Sequence, residues 1–338
     1  MTQVSARASW DICTGASRDT VNNQGLGSKL RAAAPAVEKA AEIYRGAALS
    51  SSLHDLRSQD FQIVGVPGPT VSGIVYESGM RGGSGRVIYE AVMEGRDEDL
   101  CPMCWHSEMS ELDHVLPQKA FPALCVAPDN LVGICEYCNF KKSDDTSDDA
   151  RKVLLHPHFE DVSTEVWLAA EVIPGTKGAL RYSVDPPPGW DPVLKDRVRN
   201  QFGQMEMVTR YGNRAQQTLG GMRQIFGTQL KKNGATGLRV FLKDLAASHQ
   251  AVNLNGWAGV AYDAWAEDTD FCCGSFNGTR IPAARGKHLD SPDYKIKWVQ
   301  NGARHTSSVR YSAAAVGEYA GLKRAEEGVS DVRIALAK

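Results

Sequence analysis

Two C-x-x-C pairs, Cys101-Pro-Met-Cys104 and Cys135-Glu-Tyr-Cys138, bracket Asp113-His114 and Asn130, and Asn139 follows the last cysteine directly. Four thiolates at this spacing can close a tetrahedral zinc site. The hard oxygens of Asp113 and Asn139 suit Mg²⁺ or Mn²⁺. A neutral histidine beside such an ion, here His114, can take a proton from water. The ion then stabilises charge on phosphoryl oxygens and on the leaving group. Cys13, Cys125, Cys272 and Cys273 have no such partner spacing. Eight cysteines in 338 residues are too few for a disulfide scaffold. The amino-terminal run MTQVSARASWDIC lacks the apolar core of a secretory signal. The pairs therefore read as a structural zinc site in a reducing, cytoplasmic setting.

The elements that must position these residues can be read from the same stretch. Leu112 to Val115 suits a short strand, ended by Pro117, and Leu131 to Ile134 suits a second. Cys135, Cys138, Asn139 and Lys142 recur at i, i+3, i+4 and i+7, one face of a helix. The order is strand, long loop, strand, helix. A zinc ion would hold the loop before the first strand against the start of the helix, with a stabilisation on the order of 10 kcal/mol in small zinc modules. Asp113 or His114 and Asn139 can then converge in one groove.

The run Asp113-His-Val-Leu-Pro-Gln118, with Asn139-Phe-Lys-Lys-Ser-Asp144, resembles the HNH nuclease family, whose fold is the ββα-metal or His-Me finger. It looks like the HNH domain of the RNA-guided CRISPR nucleases. The cysteine pairs resemble the zinc-stapled branch found in restriction and phage-defence enzymes. The likeness covers residues 85–145. It implies that His114 is the general base, Asp113 a metal ligand, Asn139 the second metal ligand, and Asn130 the tether of the loop that orients the base. It also implies hydrolysis of phosphodiesters to 5′-phosphate and 3′-hydroxyl ends. Asn139 stands where many members carry histidine.

Around this segment the chain divides by composition. Residues 1–84 read as a polar, Gly/Ser/Asn-rich arm over 1–30, a helix beyond Pro35, and short strands or an ordered loop over 61–76. Residues 85–160 hold the nuclease domain, entered by a short helix over Val87–Glu94. Residues 161–280 begin with a hairpin, TEVWLAAEVI and ALRYSV around the turn Pro174–Gly178. Helices follow from Asp191-Pro192 onward, with a break at Gly234. Residues 281–338 are a C-terminal extension of mixed composition and weak pattern. The fold class expected is α+β, with a mainly α-helical C-terminal region.

Net charge is −2, which excludes a uniformly basic nucleic-acid coat protein. No apolar run approaches a membrane span. Charge is uneven, however. The nuclease segment is acidic, whereas 195–243 carries Lys195, Arg197, Arg199, Arg210, Arg214, Arg223, Lys231, Lys232, Arg239 and Lys243 against Asp196 and Glu206. An acidic module approaching a polyanion needs positive charge from elsewhere, so Arg210, Arg214 and Lys142 are candidate DNA contacts. The reading is a metal-dependent DNA endonuclease that nicks with one site. Its setting would be bacterial defence against phage or foreign DNA, beside an ATPase or another defence subunit. The alternative is a non-catalytic, zinc-dependent DNA-binding or regulatory protein. RNA is a weaker substrate choice.

Overall fold

The computed structural model describes residues 4–19, 25–94, 99–144, 147–277, 294–307, 316, 320–321, 323–324 and 328–336. Parts of the expected arm, Asp97, Glu98, Asp145 and much of the C-terminal extension lie outside the described residues. The fold mixes helices with small antiparallel sheets, which is α+β. No described helix is long and apolar enough to cross a membrane. The chain forms two compact units: Met1–Met222 with Leu242–Asp268, and Arg223–Phe241 with Thr269–Lys338.

In the first unit, the amino-terminal stretch is a packed layer and not a loose arm. Helix α1 (Ala6–Thr14) starts at Ser5, whose hydroxyl caps the Ala8 N–H. It buries Trp10 completely, and the indole N–H donates to the Leu30 carbonyl at 2.8 Å. Helices α2 (Leu26–Ala32) and α3 (Ala34–Leu49) follow, the latter with Pro35 in its first turn. One buried tryptophan supplies the area that the polar composition around it hides.

Of residues 61–76, expected as short strands or an ordered loop, 62–67 form a loop closed by an Ile63–Val66 bridge, and the remainder is helical. Helix α4 (Gly68–Val71) runs into a π-helical stretch, Ser72–Arg81, and α5 (Arg86–Met93) comes next. The β-branched residues here are helix core: Val71 and Val75 are fully buried. Burial on a helical face outweighs strand propensity. Gly79 permits the contact with α1, because a Cβ there would lie 2.4 Å from the Cys13 carbonyl oxygen.

This layer shares one hydrophobic core with Leu112, Leu116, Phe121, Leu124, Val126 and Leu131. Those residues belong to strand β1 (Glu111–His114), strand β2 (Leu131–Ile134) and the loop between them. β1 and β2 are antiparallel, with Asp113 opposite Val132 and His114 opposite Leu131. Helix α6 (Glu136–Lys142) follows at once. Strands β3 (Leu168–Val172) and β4 (Leu180–Val184) then form the expected hairpin. Asp191 caps α7 (Pro192–Gln204), accepting from the Val193 and Leu194 N–H groups. Helix α8 (Met207–Val252) turns sharply at Gly234, where φ is 71°. Helix α9 (Trp257–Glu267) packs on β3.

The second unit groups Phe226, Phe271 and Phe276, with ring centroids 4.9 to 6.0 Å apart, and buries Cys272 and Cys273. The C-terminal region is not only helical. It contains β5 (Tyr294–Gln300), β6 (Ala303–Thr306) and β7 (Val329–Leu336), ordered β6-β5-β7 and antiparallel.

Arg197, one of the basic residues of 195–243, is a buried structural residue, 3% exposed. Its guanidinium pairs with Glu160 and donates to the carbonyls of Val153 and Leu154 at 2.9 and 2.8 Å. Removing one member leaves a buried charge unmatched. Arg197→Met is therefore expected to cost about 3–5 kcal/mol in urea unfolding. Arg197→Met with Glu160→Met should be less destabilised than that single variant.

Candidate metal centre and His114 site

Each C-x-x-C pair sits on a local turn that aims both sulfurs the same way. In the first, the N–H groups of Cys104 and Trp105 both donate to the Cys101 carbonyl, and Trp105 takes φ 46° to close the turn. In the second, Cys135 is the N-cap of α6 and its sulfur accepts from the Cys138 N–H at 3.5 Å. The four sulfurs are buried and lie within 4.8 Å of one another, with Cys104 Sγ and Cys135 Sγ 3.9 Å apart. Sulfurs around a tetrahedral zinc, at Zn–S bonds of about 2.3 Å, stand roughly 3.8 Å apart. The donor set fits, and Cys101, Cys104, Cys135 and Cys138 form a site for a structural metal such as zinc. Hydrogen bonds among the thiols pull Cys104 and Cys135 toward the ionised form and push Cys101 and Cys138 away from it. Four such groups cannot all ionise without a cation between them.

His114 ends β1 on the face turned to the amino-terminal layer. It is 4% exposed, with the Tyr76 ring edge-on at 4.5 Å between centroids. Its Nε2 lies 2.7 Å from the Cys125 carbonyl oxygen. A carbonyl only accepts, so Nε2 carries the proton and the neutral ring has its lone pair on Nδ1. Burial lowers the His114 pKa to about 4, which keeps the ring neutral near pH 7.

The loop that presents this carbonyl is closed by Asn130, which is fully buried. Its Oδ1 accepts from the Leu116 N–H at 2.7 Å. Its amide donates to the carbonyls of Leu116 and Leu124 at 3.0 and 3.3 Å. Cys125, without a ligand role in the sequence reading, contributes its backbone. A backbone contact leaves no signature in residue type. Tyr76 lies in the segment expected as short strands or an ordered loop, a reading that gives it no contact with β1.

Asp113 points to the opposite face of β1, toward α6. Its Oδ2 is 3.0 Å from the Lys142 ammonium, which also donates to the His114 carbonyl at 2.7 Å. Both side chains are largely covered, at 18% and 11% exposure. Asn139 is half-buried, one turn before Lys142 on the same helical face. Asp113 and Lys142 also line a cavity of about 330 Å³, with Val115, Val132, Asn200 and Gln204, so a small ligand can reach the carboxylate.

The expected DNA contacts are mostly engaged elsewhere. Lys142 is turned inward onto Asp113. Arg210 lies against the cysteine cluster, 3.3 Å from Cys104 Sγ and 3.4 Å from Cys138 Sγ. The Arg223 Nε is buried. Arg214 is exposed, and so is Arg199, which pairs with Asp196 at 3.4 Å. Arg197 and Arg210 thus serve partners inside the fold. Charge counts along a helix ignore which residues the fold uses as internal donors.

The chain is similar to Protein ea31 of Escherichia phage lambda, 27% identical over 216 residues, which cover 58% of this chain and 72% of that protein. No protein-family profile matches the chain. No solved structure matches it.

Freshly purified protein is expected to carry one tightly held thiophilic metal per chain by elemental analysis. Cys138→Ser should lose that metal and lower the melting temperature, whereas Cys125→Ser should keep it. Equal metal content in the two variants would remove the cluster as the site.

Proposed function

We propose that the chain is a metal-dependent HNH-type DNA endonuclease, with β1, β2 and α6 as a ββα-metal module stapled by zinc. The observation that carries this reading is the state of His114: neutral, its Nε2–H fixed on the Cys125 carbonyl, and its Nδ1 lone pair left as the proton acceptor. A general base needs that tautomer and that protonation state at working pH.

In this reading His114 takes a proton from a water molecule on Nδ1. The imidazolium so formed keeps its Nε2–H on the Cys125 carbonyl, and the Asp113 carboxylate, one residue away, favours the charge. Asn130 holds the loop, so the ring does not swing when it gains the proton. Asp113 and Asn139 offer a carboxylate and an amide oxygen, the donor chemistry of a hard cation. Asp113 Oδ1 makes no hydrogen bond among the described residues, so one carboxylate oxygen remains available. Mg²⁺ or Mn²⁺ held there would supply positive charge to the phosphoryl oxygens. Lys142 meanwhile supplies the carboxylate with a counter-ion, so a cation must compete with the ammonium.

One such site cuts one strand, and nicking is the default. The setting proposed is bacterial defence against phage or foreign DNA, beside a defence subunit; the similar protein ea31 belongs to a phage. The Asp113–Lys142 pair and the burial of His114 on the opposite face of β1 favour the second reading, a non-catalytic zinc-dependent DNA-binding or regulatory protein, because the carboxylate is already neutralised by the protein's own charge and the ring is covered.

Supercoiled plasmid with Mg²⁺ or Mn²⁺ separates the two readings. Wild type should produce nicked circles, and His114→Ala should lower the rate by about 10²–10⁴-fold with cluster metal content unchanged. Nicking that persists in His114→Ala would sink the assignment of the base. No nicking by wild type would favour the non-catalytic reading.

Lys142→Met removes the competing ammonium. If a cation displaces Lys142, this variant should reach half-maximal nicking at a lower Mn²⁺ concentration than wild type. An unchanged or higher requirement would show that the ammonium does not compete.

A further inference from the structure

We propose that Arg210 is the counter-ion of the four-cysteine centre, and that through it metal occupancy and the docking of the first turn of α8 stabilise each other. The inference rests on the structural-metal reading of the cysteines and is independent of nuclease activity.

Four thiolates around a divalent ion leave a net double negative charge. Here that charge would be buried, so it needs a partner other than water. Arg210 reaches the cluster from the start of α8. Its Nη2 lies 3.3 Å from Cys104 Sγ, 4.0 Å from Cys135 Sγ and 3.1 Å from Ser107 Oγ. Its Nη1 lies 3.4 Å from Cys138 Sγ and 3.3 Å from the Met205 carbonyl oxygen. The guanidinium thus spans both C-x-x-C pairs. Its plane is backed by the Tyr137 ring of α6, 4.3 Å from the ring centroid. The next residue, Tyr211, donates its hydroxyl to the Cys104 carbonyl at 2.6 Å.

A planar fork can donate to two sulfurs at once, which an ammonium on a flexible stem cannot do in the same way. N–H groups aimed at thiolate sulfur draw charge from it. They make the sulfur a weaker nucleophile toward protons and electrophiles, and they tune the metal it holds. The coupling runs both ways: if metal-bound thiolates strengthen the hold on α8, a docked α8 raises the metal affinity by the same factor. Arg210 is a positioning residue acting through the cysteines.

The test uses the full-length, zinc-loaded chain and three variants: Arg210→Gln, Arg210→Lys and, as a control on the exposed side of the helix, Arg214→Gln. Zinc transfer to a chromophoric chelator is followed after mixing. Loss of partners outside the ligand set typically costs 10–100-fold in metal affinity. Arg210→Gln is expected to release zinc at least about 10-fold faster, Arg210→Lys at an intermediate rate, and Arg214→Gln as wild type. In cobalt-substituted protein, the sulfur-to-metal charge-transfer band of Arg210→Gln should move to lower energy, because less stabilised thiolates give up an electron more easily. Amide exchange across 207–214 should quicken when zinc is removed from wild type. If Arg210→Gln does not fold, the release rate and cobalt band of Arg210→Lys decide. A wild-type release rate and an unshifted band, with only a lower melting temperature, would reduce Arg210 to a packing residue and overturn the proposal. Wild-type protein that holds no thiophilic metal would overturn it as well.

Discussion

Four buried sulfurs within 4.8 Å of one another are stable as a group only if most of their protons stay on or a cation replaces them. The centre is therefore a constraint on the chain as well as a binding site. It fixes the turn at 101–105 against the first turn of α6, and α6 carries Asn139 and Lys142. The same centre draws in α8 from more than sixty residues further along, through Arg210 and Tyr211. What lies around the sulfurs is oriented by them: the Lys142 ammonium reaches Asp113 because α6 begins at Cys135.

The His114 environment is built by a different device. Nothing there depends on metal ligation by sulfur. A fully buried asparagine satisfies three backbone groups of the β1–β2 loop, and that loop then offers the Cys125 carbonyl to the imidazole. Each of these polar groups would be costly to bury alone. Together they specify one tautomer. The amino-terminal helices complete the arrangement by covering the ring with Tyr76 and closing a shared core over the loop. Among the described residues the layer adds no member to the cysteine cluster, and it still sets the polarity around the histidine.

How legible this was in the sequence follows from the range of each interaction. Local signals carried well: the strand Leu131–Ile134, the helix opened by Cys135, the hairpin around Pro174–Gly178, the Asp191 cap and the break at Gly234 all depend on residues within a few positions. The cysteine spacing was legible for the same reason. What failed depends on contacts far apart in the chain. Trp10 buries itself under residues that look like a polar arm, and Val71 and Val75 look like strand until a helix packs against them. Backbone acceptors such as the Cys125 carbonyl carry no mark in residue type. The three-stranded sheet near the C-terminus lacked any pattern strong enough to read.

The arginines show most plainly why composition alone misleads. A stretch rich in Lys and Arg beside an acidic module reads as a surface for a polyanion, and counterion release makes that reading physically sound. But a guanidinium is also the side chain best suited to a buried anion, since it is planar, permanently charged and able to donate in several directions. Arg197 serves Glu160 and Arg210 faces the thiols, and in both cases the anion is part of the same chain. The excess positive charge of 195–243 is therefore spent partly inside the fold.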